Sequence, residues 1–238
     1  MGTGADGGGA EASGAESDAA LARRLQILAT EHWGLLAARS TAQSEVLTRI
    51  TIFLTLVSAG LVTIGLLGQA SGFGSWFPVA ALSILGFLTV VGLLTLIRVI
   101  TVAEEDMMYV VAMNRIRGAY REVDPAAARN FLASTSDDQL GMSVTYSFLR
   151  YRSGIEQLLG SSMVLAILVT ASVAGMCAGG LCAAFGVATG VSVAVGVVVG
   201  AVVVVAGVSY GGYRFSSTWR AYRPLRRSEE PPSHWRRP

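Results

Sequence analysis

The residues of this chain that could do chemistry are few and far apart. Its two histidines and two cysteines are His32, His234, Cys177 and Cys182. Hydrolytic metal sites, redox pairs and activated nucleophiles need such groups at short fixed spacings, as in HExxH, CxxC or GxSxG. None of these patterns occurs in a soluble setting. We therefore expect no catalytic residue, no metal site and no cofactor, and we interpret the protein as a non-enzyme.

The acidic cluster Glu104-Glu105-Asp106 is a candidate site for a divalent cation. Successive residues of a helix point in different directions, so three in a row do not converge on one ion. We expect a solvated face instead, with no basic partner before Arg115.

We expect structural roles for His32 and for the two cysteines. For His32 we expect an interfacial position that faces other helices. Cys177 and Cys182 lie in one apolar stretch and could form a disulfide only in a turn, so buried packing is favoured.

Two stretches of the chain contain no charged residue, 50–97 and 157–213. A membrane-spanning helix needs roughly 20 apolar residues, so each stretch is long enough for two crossings. All 18 basic residues are arginine and lie outside both stretches, and short arginine-rich segments stay in the cytoplasm. The sequence predicts an all-α integral membrane protein with four transmembrane helices as two hairpins, cytoplasmic helices, and both termini in the cytoplasm.

Composition and the positions of glycine and proline divide the chain into segments. The predicted segments are a disordered tail at 1–18, a cytoplasmic amphipathic helix at 19–49, a transmembrane hairpin at 50–97, a cytoplasmic helical segment at 98–157, a second transmembrane hairpin at 158–211 and a basic cytoplasmic tail at 212–238. The glycine-rich residues 69–75 and Gly179-Gly180 mark the outer turns. Asp124-Pro125 restarts a helix, and 142–159 reads as an amphipathic helix.

The apolar stretches contain no ionisable residue, which argues against a proton-coupled transporter or an ion pump. The absence of ionisable residues does not exclude a pore lined by hydroxyl groups. Thr51, Thr55 and Ser58 have helical spacing and share one face, so we name them as a candidate pore face. The alternative is that these hydroxyls bond back to their own helix or pack against a neighbour.

Glycines four residues apart are the packing signal of the last apolar stretch. Small residues at this spacing let helix backbones approach closely in a bilayer. The partner is the helix of the same hairpin or a helix of another subunit. The candidate packing residues are Gly186, Gly190, Gly196, Gly200, Gly207 and Gly211.

Arg214, Arg220 and Arg223 alternate with aromatic residues just after this stretch. They are candidates for contact with anionic lipid, or they serve only as a topology signal. A net charge of +2 is too small to indicate a nucleic-acid partner.

The segments 24–33 (RLQILATEHW) and 113–120 (MNRIRGAY) resemble a group of uncharacterised multi-span integral membrane proteins of high-GC Gram-positive bacteria. The resemblance covers about 21–120 and implies a plasma-membrane location but no activity. In layout only, the front half is also similar to the SLATT-type two-span modules of bacterial conflict systems, which are thought to disrupt membranes.

These observations lead to two functional hypotheses. The first is a bacterial membrane scaffold or regulatory partner, which contacts lipid and binds an unknown cytoplasmic protein through its helices. The second is a homo-oligomeric pore, such as a defence effector.

Overall fold

The computed structural model describes residues 7–149, 152, 156, 160–229 and 235, and these residues form helices joined by turns and loops, with no strand among them. The helices are α1 (Gly7–Ser71), α2 (Phe77–Val123), α3 (Pro125–Ala128), α4 (Gln139–Tyr146), α5 (Ser162–Ala184) and α6 (Thr189–Ala221). Helices α1, α2, α5 and α6 are long and apolar enough to cross a membrane. The all-α class is therefore confirmed for the described residues, and so is the presence of four helices long and apolar enough to span a membrane.

The chain forms two compact units. Unit 1 comprises Met1–Ser40, Met108–Arg150 and Pro224–Pro238, and unit 2 comprises Thr41–Met107 and Tyr151–Arg223. Helices α1 and α2 contribute residues to both units. Each continues without a break because no proline lies in its interior. Helix α1 begins at Gly7, inside the segment 1–18 for which composition predicts disorder. That segment has no large aliphatic side chain after Met1, and its predicted disorder stays a prediction.

The turn between α1 and α2 comprises residues 72–76 and overlaps the glycine-rich region 69–75 predicted for it. Gly72 and Phe73 have φ values of 55° and 59°, in the left-handed region that ends a helix. The Phe73 ring lies on Gly68, where a Cβ atom would stand 2.7 Å from the ring. Phe73 also meets Phe77 edge to face at 5.2 Å, so glycine and aromatic packing fix this turn together.

The turn between α5 and α6 lies later than predicted. Helix α5 continues through Gly179-Gly180 to Ala184, and the left-handed residue is Gly186, with φ of 76°. The amide of Gly186 bonds to the Ala183 carbonyl, and the amide of Val187 bonds to the Cys182 carbonyl. These two bonds form a Schellman motif. The prediction is wrong because the earlier glycines serve helix packing rather than the turn.

Two aspartates start the short helices of unit 1. Asp124 accepts the amides of Ala126 and Ala127 at 2.9 Å and caps α3, which confirms the predicted restart. Asp138 accepts the Gly141 amide at 2.7 Å and caps α4. The helix predicted at 142–159 is therefore wrong at its start, and Tyr146 ends α4. Most of 150–159 lies outside the described residues.

The core of unit 2 is built from α1, α2 and α5. Its larger cluster consists of Val46, Ile50, Leu96, Val99, Ile100, Val102, Ala166 and Ile167. At Gly92 a Cβ atom would stand 2.8 Å from the Phe53 ring and 2.9 Å from the Thr170 hydroxyl oxygen. Glycine at this position lets a wholly buried phenylalanine and threonine reach the backbone of α2.

The core of unit 1 lies along the last part of α2. Val110, Met113 and Ile116 are buried there, together with Met142 of α4. Asn114 is fully buried on the same helix, so a polar side chain sits among these apolar neighbours and needs hydrogen-bond partners.

Candidate functional site

Unit 2 contains a charged belt formed by Glu45, Arg98, Glu104, Glu105 and Arg214. Arg98 donates from Nη2 to Glu45 Oε2 at 2.9 Å and from Nη1 to Glu105 Oε1 at 3.0 Å. Arg214 donates from Nε to Glu104 Oε2 at 2.8 Å. The belt therefore joins α1 to α2 and α2 to α6 at residues that flank the charge-free stretches.

The acidic cluster in this belt is not the unpartnered solvated face that the sequence predicts. Glu104 accepts the Thr218 hydroxyl at 2.5 Å in addition to Arg214, and Asp106 accepts the Gln43 amide at 2.7 Å. The expectation was wrong because the three side chains diverge and each meets a different partner. The partners of Glu104 and Asp106 lie on α6 and α1, whereas Glu105 pairs with Arg98 seven residues earlier on α2 itself. Within the described residues no group of acidic, histidine or cysteine side chains could hold a metal ion.

The belt keeps Glu104 ionised. This residue lies outside the charge-free stretches. Burial raises the pKa of its carboxyl, but the hydrogen bonds from Thr218 and Arg214 and the positive charge of Arg214 outweigh burial, so the pKa is lowered from the ordinary value of 4.5. Glu104 therefore carries a negative charge at neutral pH to pair with Arg214.

Reversing one charge of the belt should unfold unit 2, and exchanging both charges should restore it. Glu104→Arg places a second cation beside Arg214, so we expect most of the detergent-solubilised protein to aggregate. Glu104→Arg combined with Arg214→Glu recreates the pair with opposite polarity and should recover monodisperse protein by size-exclusion chromatography. Equal aggregation of the single and double variants would contradict the contact.

Unit 1 contains a second polar group of residues, which we call the polar cradle: Asn114, Arg115, Glu122, Asp137 and Asp138. Three hydrogen bonds hold the side chain of the buried Asn114. Its Nδ2 donates to the Ser136 carbonyl at 3.1 Å, and its Oδ1 accepts Thr145 and Arg117 at 2.8 Å each. This side chain joins α2 to α4 and to the loop before it.

Asp137 is the centre of the cradle and is completely buried. Its carboxylate accepts Arg115 Nε at 2.9 Å, the amide of Leu225 at 3.1 Å and the amide of Arg226 at 2.7 Å. Its own amide donates to the Arg226 carbonyl at 3.2 Å. A buried carboxylate is stable only with such partners, so Asp137 fixes the segment after α6 onto the loop.

The predicted packing glycines fall into two groups. Four of them face α5: Gly196, Gly200, Gly207 and Gly211. A Cβ atom would stand 2.7 Å from the Gly175 carbonyl oxygen at Gly196 and 3.2 Å from the Ala171 carbonyl oxygen at Gly200. It would stand 3.1 Å from the Ile167 side chain at Gly207 and 3.3 Å from the Met163 side chain at Gly211. Gly186 and Gly190 have no atom within 4 Å of that position. Gly186 belongs to the turn, and Gly190 lies in the first turn of α6.

The hydroxyls of the candidate pore face bond to their own helix. Thr51, Thr55 and Ser58 each donate to the carbonyl four residues earlier at 2.9 Å. All three side chains are exposed in this single chain. They share one face of α1, and their hydrogen bonds are already satisfied.

The three candidate lipid-binding arginines differ in what they contact. Arg214 is paired with Glu104 in the charged belt, whereas Arg220 and Arg223 are exposed. His32 is half-buried on α1. Burial and the nearby Arg117 lower the pKa of His32, so its imidazole is neutral at neutral pH.

The cysteines carry free thiols, and both lie on α5. On one continuous helix their side chains do not face each other, since residues five apart diverge.

Sequence reasoning missed Asp137 and Asp138, which it placed in a polar loop. The one available signal was their charge, which is opposite to that of Arg226-Arg227 nearly ninety residues later. Such a signal does not identify a pair in a chain with many scattered charges. Comparison with family models, curated proteins and solved structures finds no match.

Proposed function

We propose that this protein is a non-enzymatic scaffold or regulatory partner of the bacterial plasma membrane, which binds a cytoplasmic protein through unit 1. The four spanning helices form two hairpins, and both termini and residues 98–157 lie in the cytoplasm. The charged belt supports this arrangement. It brings together residues that precede the α1 span and follow the α2 and α6 spans, as two hairpins require.

The observation that carries the proposal is the exposure of Trp33. This side chain is 69% exposed on α1 in unit 1, and Leu36, one turn later, is also exposed. Lipid does not cover these residues if unit 1 is cytoplasmic. An exposed tryptophan beside an aliphatic residue is typical of a protein-binding surface, where tryptophan side chains often contribute most of the binding energy.

Trp33→Ala should abolish capture of the partner. We expect affinity purification from gently solubilised membranes to recover one protein at stoichiometric amounts with the wild type, and at least about tenfold less with the variant. Trp76→Ala is the matched control, because Trp76 is also exposed, at 53%, but lies in the turn before α2. Recovery of the wild-type protein alone, or equal capture by both variants, would count against the proposal.

A homo-oligomeric pore is the second candidate, supported by the exposed hydroxyl face of Thr51, Thr55 and Ser58 on α1. Several copies could turn this face toward a shared axis. Ion flux through liposomes that contain the purified protein would support it, if Thr55→Leu reduces that flux. Absence of flux at any protein density would exclude it.

A further inference from the structure

The segment that occupies the polar cradle is bound in the manner of a peptide ligand. Helix α6 ends at Ala221, and residues 225–228 have no helical structure. The amides of Leu225 and Arg226 donate to Asp137, and the amide of Ser228 donates to Asp138 at 2.8 Å. Two adjacent carboxylates therefore bind the backbone of a non-helical segment, independently of most of its side chains.

Two side chains of the segment are also recognised. Arg226 donates to Glu122 Oε1 from Nη2 at 2.5 Å and to the Arg115 carbonyl from Nη1 at 3.2 Å. Its guanidinium lies over Gly118, where a Cβ atom would stand 2.6 Å from Nη1. Ser228 Oγ donates to Asp138 Oδ1 at 2.8 Å. The cradle therefore selects arginine and, two residues later, a hydroxyl.

The segment has no apolar anchor. Leu225 is exposed, and so is Arg227. Hydrogen bonds, an ion pair and the contact of the Arg226 side chain with Gly118 hold residues 225–228 in place. Water can replace the polar contacts when the segment leaves. A segment held in this way detaches far more easily than the core unfolds.

We propose that the polar cradle is a recognition site for a non-helical peptide segment with arginine two residues before serine, and that residues 225–228 occupy it in cis. The segment that displaces them comes from a second copy of this chain or from another protein, with the same chemistry. The inference rests on the proposed partner-binding role of unit 1 but does not involve Trp33. Its test uses purified protein and a synthetic peptide, so its failure leaves partner capture through Trp33 standing.

The test measures binding of a fluorescent peptide with the sequence of residues 222–229 to full-length protein in detergent, by fluorescence anisotropy. In the wild type the cis segment competes at an effective concentration in the millimolar range, so we expect weak binding. Arg226→Ala in the full-length chain weakens the cis segment and should raise the affinity for the peptide at least about tenfold. Should that variant fold poorly by circular dichroism, Ser228→Ala provides a milder release with the same expected direction.

Peptide variants supply matched controls that do not depend on protein folding. A peptide carrying Arg226→Ala should bind the released protein at least about tenfold more weakly than the original peptide, because it lacks the Glu122 contact. A peptide carrying Arg227→Ala has the same net charge as the Arg226→Ala peptide and should bind like the original. Equal binding of the two variant peptides, or no binding to either released protein, would overturn the proposal.

Two differently tagged copies of the chain distinguish the sources of the segment. Co-capture of the copies that excess peptide abolishes identifies a second copy as the source. Peptide binding without co-capture identifies another protein. Both results support the site, since each requires specific binding of the peptide.

Discussion

Gly196→Ala is expected to destabilise the packing of α5 on α6 by about 2–3 kcal/mol. A Cβ atom at this position would stand 2.7 Å from the Gly175 carbonyl oxygen and 3.6 Å from the Gly179 Cα atom. These neighbours are backbone atoms, so neither can move aside without shifting α5. Lipid supplies no hydrophobic force between helices, and close packing carries their association. Unfolding in mixed micelles with increasing SDS measures the change.

Gly190→Ala is the matched control on the same helix. It adds the same methyl group where no atom lies within 4 Å, so its free energy of unfolding should stay within about 0.5 kcal/mol of the wild type. A loss of stability as large as that of Gly196→Ala would mean that contact with Gly175 does not determine the effect, since alanine has the higher helix propensity.

Asp137→Ala is expected to destabilise unit 1 by about 2–3 kcal/mol and to detach the segment after α6. The substitution removes the carboxylate that accepts Arg115 and the amides of Leu225 and Arg226. This loss of stability is small for a broken buried ion pair, because the Arg115 side chain is partly exposed to water. Hydrogen exchange of the Leu225 and Arg226 amides measures the detachment and should accelerate strongly.

Asp124→Asn controls for the loss of a negative charge in unit 1. Asp124 caps α3, and asparagine caps helices about as well as aspartate. Exchange at Leu225 and Arg226 should therefore stay at its wild-type rate. Protection of these amides that survives Asp137→Ala would contradict the role assigned to the cradle.

The four long apolar helices were predictable because a bilayer restricts the length and composition of a continuous stretch of sequence. A helix that crosses hydrocarbon must satisfy its backbone internally and present apolar side chains for roughly 20 residues. The stretches 50–97 and 157–213 meet this requirement by composition alone. The restart at Asp124 was equally local, since its side chain caps the next two amides.

Features that depend on contacts between helices were not predictable from local pattern. A glycine in a helical stretch is compatible both with a turn and with close helix packing, and the local sequence is the same in the two cases. The sequence therefore does not distinguish Gly179, which packs against the Ser192 carbonyl of α6, from Gly186, which has no such neighbour. The partner of Glu104 in the acidic cluster was likewise not predictable, because Arg214 lies 110 residues away in the sequence.

The polar cradle was the hardest part to predict. Its contacts join residues of α2, the loop before α4 and the segment after α6, with separations of 88 to 90 residues between the loop and that segment. Half of these bonds involve backbone amides, which every residue except proline offers. No residue type in the tail marks it as the partner of Asp137.

The orientation of the chain in the membrane is the central claim, and reporter fusions at two positions test it most directly. A fluorescent protein that folds only in the cytoplasm and an alkaline phosphatase that is active only outside are fused in turn after Pro238 and within 185–188, the turn between α5 and α6. We predict fluorescence without phosphatase activity after Pro238, and phosphatase activity without fluorescence at the turn. Phosphatase activity after Pro238 would contradict the cytoplasmic placement of the arginines.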